Sequence, residues 1–177
     1  MLERALAGVM VLVNGFGGMD TFVRAMNGVV NLVYGGDRGG NRGEYFEATS
    51  TIVLYAADFV GGDRNIQTAI VHELAHHWDA RSGPKGQRLS DDLRGYLDSD
   101  GREDQRYPSN YALTHRGDGE DFAESVTATL LGPDQYYGGT PAYGNDPATL
   151  GYVGSSRDKF IKTLFCIYAS RASNADC

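Results

Sequence analysis

Apolar side chains recur every three or four positions over residues 3–14 and 20–27, which predicts two helices separated by the breaks Asn14-Gly15 and Gly17-Gly18. Val29 to Tyr34 is short and β-branched and predicts a strand, and Gly35 to Gly43 predicts a surface turn. Tyr45 to Tyr55, with Thr49, Thr51, Ile52, Val53 and Leu54, predicts the strongest strand of the chain. After Gly61-Gly62, Asp63 is suited to cap a helix running to about Arg81. On that helix Ile70, Val71, Leu74 and Trp78 form one apolar stripe, whereas His72, His76 and Asp79 lie on another face.

Ser82 to Asn110 is polar and predicts mostly loop, with a short helix near Leu93. Asp118 is suited to cap a helix from Gly119 to Leu131, which Gly132-Pro133 stops. Gln135 to Gly154 reads as loop, and Ser155 or Ser156 caps a last helix carrying Phe160, Ile161, Leu164, Phe165 and Tyr168. The sum is an α+β fold, a single domain over residues 1–177. A small, mostly antiparallel sheet from about residues 29–58 packs on the helices, the His72 helix lying beneath it. An exposed edge strand within residues 49–55 is expected to pair with an extended peptide.

The 177 residues suit one domain, and 41% hydrophobic with 22% charged residues is the composition of a chain that buries a core. A net charge of −7 without a basic stripe argues against nucleic acid and anionic membrane as partners. No apolar run is long enough to span a bilayer. Ala5 to Val13 follows Glu3 and Arg4 and is read as the first helix, not as a signal peptide. Cys166 and Cys177 either close a short loop through a disulfide, implying an oxidising compartment, or are one buried and one free terminal thiol. The expectation is a secreted or extracellular monomer.

The chemistry concentrates in His72-Glu73-Leu74-Ala75-His76, an H-E-x-x-H sequence inside a predicted helix. Residues four apart stack on one helical face, so both imidazoles can reach one Zn²⁺ at about 2.0–2.1 Å. Glu73 lies beside them, where it can take a proton from water. A catalytic zinc needs a third protein ligand. The extended pattern ending in a third histidine has Ser82 at that position. His77 turns away by one helical step, and His115 falls in a predicted loop. Glu120 is the better candidate: in Glu120-Asp121-Phe122-Ala123-Glu124, two glutamates lie one turn apart on one face. One can bind the metal while the other bonds a ligand imidazole. Two acids at a helix start are favoured by the helix dipole in any case, but beside a motif lacking a ligand they gain a second use.

His72-Glu-Leu-Ala-His-His-Trp-Asp79, Ser109-Asn-Tyr-Ala112 and Glu120-Asp-Phe-Ala-Glu124 together resemble the catalytic domain of the anthrax lethal factor family and the similar clostridial Pro-Pro endopeptidases, over roughly residues 45–131. The resemblance implies a zincin-like fold and a zinc metallopeptidase. It implies metal ligands His72, His76 and Glu120, with Glu73 as general base and Tyr111 as the phenol facing the oxyanion. Glu124, joined by Asp79, would support the ligands. The segment from Tyr111 to Glu120 is about two residues longer than in the family, a difference loops tolerate, and Tyr107 is the alternative phenol.

Zn²⁺ chemistry with Glu73 as base makes a peptide or protein the expected substrate. A zinc-binding toxin-accessory or interaction module with little turnover is the alternative, which the intact Glu73 disfavours. Two weaker signals are set aside. Asp134-Gln-Tyr-Tyr137-Gly138 is similar to part of the aspzincin motif but lies far downstream. Asp98-Ser-Asp100-Gly101 has Tyr96 and Tyr107 where a calcium loop needs acids.

Overall fold

Both N-terminal helices form where the apolar spacing predicts them, as α1 (Leu2–Gly15) and α2 (Met19–Met26) in the computed structural model. The structure describes residues 2–39, 42–60, 63–82, 86–99, 107–115, 119–132 and 152–173. Gly17 and Gly18, both at positive φ, make the corner between the two helices. Strands β1 (Asn31–Tyr34), β2 (Glu44–Phe46) and β3 (Thr51–Leu54) follow, then helices α3 (Asp63–Ser82), α4 (Leu89–Asp98), α5 (Asn110–Thr114), α6 (Glu120–Leu131) and α7 (Ser156–Ser173). Ser155 caps α7, its hydroxyl accepting from the Asp158 amide at 3.2 Å.

The sheet corrects the sequence reading in three respects. Residues 45–55 are not one strand but a hairpin. Glu47–Thr49 forms a single 3-10 turn, and Ser50 reverses the chain in the left-handed region at φ 48°. The sheet is mixed, not mostly antiparallel. In the order β1-β3-β2, β3 pairs parallel with β1 (Asn31↔Thr51 to Tyr34↔Leu54) and antiparallel with β2 (Glu44↔Val53 to Phe46↔Thr51). Residues 51–54 are therefore the centre of the sheet, and the edges are β1 and β2. The burial of β3 alternates, with Ile52 and Leu54 inward, as a central strand covered on one face requires.

The short helix expected near Leu93 is the ten-residue α4. A tertiary contact anchors its start: the fully buried carboxylate of Asp79 accepts from the Ser90 amide at 2.6 Å and from its hydroxyl at 3.0 Å. The loop expected over residues 135–154 lies outside the described residues up to residue 151, as do Pro133, Asp134, Asp100, Gly101, Asp118 and Cys177.

Helix α3 is the axis of the fold, packing on α1, on α6 and on β2 and β3. Its predicted stripe is buried, with Ile70, Val71 and Trp78 at zero exposure. Trp78 gathers the other helices: its ring lies 4.8 Å from Phe16 of α1's end, 5.5 Å from Phe122 of α6 and 5.3 Å from Phe165 of α7. The result is an α+β fold of one main hydrophobic core. No single described helix is long and apolar enough to cross a membrane.

Candidate metal centre

Two helices build the site. Helix α3 supplies His72 and His76 one turn apart, and α6 supplies Glu120 in its first turn. Phe122, Ala123 and Val126 are fully buried and bind α6 to the core, Phe122 packing on Trp78 of α3. That packing turns the face bearing Glu120 and Glu124 towards the two histidines. Gly119 starts α6 from the left-handed region at φ 79°. A Cβ there would stand 3.1 Å from Asp79 Oδ2 and 3.7 Å from His76 Nδ1, so a side chain at this junction would crowd the helix carrying the histidines.

Three ligand atoms converge. His72 Nε2 and His76 Nε2 are 3.1 Å apart, and Glu120 Oε2 lies 3.0 Å from the first and 3.4 Å from the second. A tetrahedral ion bound at about 2.0–2.1 Å holds its donors about 3.3 Å apart, so the three atoms already sit on edges of the right length. Glu120 Oε2 is buried, and no donor meets it with the angles of a hydrogen bond. Its short contacts with the imidazoles are of ion-pair length. His72, His76 and Glu120 could hold a metal ion.

The opposite side of the His72 ring faces Glu124, whose Oε1 lies 3.2 Å from Nδ1. Glu124 is completely buried, while the side chains of His72, His76 and Glu120 keep 13%, 15% and 17% exposure. The three metal-holding side chains thus keep some solvent exposure, which Glu124 lacks.

The field at the site favours positive charge. Burial alone would lower the pKa of His72, but Glu120 and Glu124 outweigh it and hold the imidazole well above its ordinary value. Burial likewise works against the Glu120 carboxylate, yet His72 and His76 drive its pKa far below the usual range. A proton and a metal cation compete for such a place. Glu73 behaves oppositely: burial raises its pKa, with Glu120 and Asp58 adding to the rise and the two histidines opposing it.

The structure distributes the other predicted residues unevenly. Glu73 is buried on α3 within electrostatic reach of His72, His76 and Glu120, its side chain resting on Gly43 at the foot of β2. Tyr111, on α5, is 40% exposed, with its ring 4.2 Å from that of His115. Tyr107 is fully buried beneath the Arg157 guanidinium, 3.8 Å from its ring centre. His115 folds back on its own helix, Nδ1 lying 3.1 Å from the Tyr111 carbonyl, and is not in the metal-holding group. His77 does turn away, held between the Tyr45 hydroxyl and the Met26 carbonyl, both at 2.9 Å. Asp79 bonds Ser90 and lies 3.4 Å from Arg88, and it feels His76 through space.

Gly43, Asp58 and Gly119 line or brace the site without having been singled out in the sequence. Their contacts run between segments, so no local spacing announces them. No protein-family model, curated protein or solved structure matches the chain. What stands is the geometry of the His72–His76–Glu120 group itself.

Proposed function

We propose that the chain is a zinc-dependent endopeptidase in which His72, His76 and Glu120 hold the metal and Glu73 is the general base. One observation carries the reading: three ligand atoms meet at metal-site spacing, their residues partly exposed, with a buried glutamate next along the ligand helix. A structural zinc is normally closed by four protein ligands, whereas a catalytic one keeps a position open. Zinc is the ion proposed because two histidines of an H-E-x-x-H helix and one glutamate are a donor set that catalytic zinc sites use.

Zinc bound there supplies Lewis acidity, polarising a carbonyl and acidifying water. Glu73 takes the proton from the attacking water and delivers it to the leaving amine, a task suited to a carboxylate whose pKa burial has raised. Glu124 Oε1, 3.2 Å from His72 Nδ1, is placed to take up the Nδ1 proton and so would leave Nε2 as the metal-binding nitrogen. Tyr111, 40% exposed on α5, is the phenol assigned to the oxyanion. Asp79 steadies the end of α3 through Ser90. The edge strand β2, adjoining Gly43 and hence Glu73, offers backbone groups to an extended peptide.

The resemblance to the lethal factor family supports the same assignment of residues. The test is cleavage of a mixed peptide library, with and without a chelator, by protein carrying its metal. Chelator-sensitive cleavage is expected. A metal-loaded protein that cleaves nothing would favour the accessory-module reading.

A further inference from the structure

Glu73 is one helical step from His72, so the helix fixes its Cα but not where its carboxylate rests. That position depends on what the side chain leans against, and the wall is the backbone of Gly43. A Cβ at Gly43 would stand 2.9 Å from Glu73 Cγ, 3.2 Å from Oε1 and 3.4 Å from Cδ. Its φ lies outside the left-handed region, so the backbone at this position does not itself demand glycine. The close approach of Glu73 does.

A buried carboxylate holds the wall in place. Asp58 is fully buried, in the 3-10 turn of residues 56–59 that follows β3. Its Oδ2 accepts from the Tyr55 amide at 2.8 Å, an ordinary cap of that turn. Its Oδ1 accepts instead from the Gly43 amide at 3.3 Å, fifteen residues away. Capping explains the first bond and not the second. On the outer side Arg38 Nη1 bonds both Glu44 and the Tyr55 hydroxyl at 2.7 Å, tying the same two segments again.

We propose that Gly43 and Asp58 are positioning residues for Glu73: Asp58 fixes the Gly43 backbone, and the side-chain-free face of Gly43 fixes the Glu73 carboxylate beside the two histidines. The catalytic use of that position rests on the peptidase reading, but the contact itself does not.

A double-mutant cycle separates the two. In metal-free, chelator-treated full-length protein, the urea midpoint is measured for wild type, Gly43→Ala, Glu73→Ala and the double variant. A clash between the new Cβ and Glu73 Cγ predicts that Gly43→Ala lowers the midpoint clearly when Glu73 is present, and by less than half as much in the Glu73→Ala background. Equal shifts in both backgrounds would overturn the proposal. Asp58→Asn keeps a side-chain carbonyl for the Tyr55 cap but loses one acceptor, and is expected to weaken the same coupling; coupling left at its wild-type size would remove Asp58 from the device.

With the metal restored, zinc affinity of Gly43→Ala is expected to stay within about threefold of wild type, because no ligand is touched. Cleavage of the best library peptide should lose about 10–100-fold in kcat with KM little changed, the size expected from misplacing a reacting group. Coupling in urea with no cleavage by wild type would uphold the positioning contact and sink the peptidase reading instead.

Discussion

His72 lies between two carboxylates of one helix, with Nδ1 3.2 Å from Glu124 Oε1 and Nε2 3.0 Å from Glu120 Oε2. The two glutamates are one turn apart, yet the imidazole assigns them different work. Only Glu120 also approaches His76, at 3.4 Å. Glu120→Ala should therefore remove a ligand, and Glu124→Ala only the brace behind one. Loss of such a brace typically costs about 10–100-fold in metal affinity, and loss of Glu120 should cost more. Competition titration with a chromogenic chelator orders the two; the reverse order would overturn the assignment.

Glu73→Gln removes a base while preserving size and both imidazoles. Zinc content should remain that of wild type, and cleavage should fall by about 10²–10⁴-fold, the usual contribution of general acid–base catalysis. Near-normal cleavage by this variant would move the chemistry to another residue.

Gly119→Ala tests the junction between the helices. It places a Cβ at φ 79° and 3.1 Å from the buried Asp79 carboxylate. The left-handed conformation alone costs about 1–2 kcal/mol for a residue with a Cβ. The unfolding free energy of metal-free protein should fall by at least that, and zinc affinity should fall too, since Glu120 is the next residue. Unchanged stability would mean that α6 can begin without this turn.

The parts of the molecule that were legible in the sequence are those with local causes. His72 and His76 are joined by one helical turn, and the burial of Ile70, Val71, Leu74 and Trp78 follows from the same periodicity. Glu120 was legible because its pairing with Glu124 repeats that spacing on a second helix. The misread parts depend on distant partners. The parallel pairing of Asn31–Tyr34 with Thr51–Leu54 skips over β2, and no spacing within either segment encodes it. The break at residues 47–50 hides in a run of strand-forming residues because Ser50, not glycine, takes the left-handed turn. A helix near Leu93 is expected, but the start of α4 is not, since it is set where Asp79 receives Ser90, a bond across eleven residues. Asp58 and Gly43 meet only after the hairpin has formed.

The most direct measurement is the metal content of the purified chain, never exposed to chelator, beside His72→Ala and His76→Ala prepared alike. Elemental analysis should find about one zinc per wild-type chain, as a site of three protein ligands binds one ion, and next to none in either variant. Wild-type protein without any transition metal, or variants that retain it in full, would contradict the account.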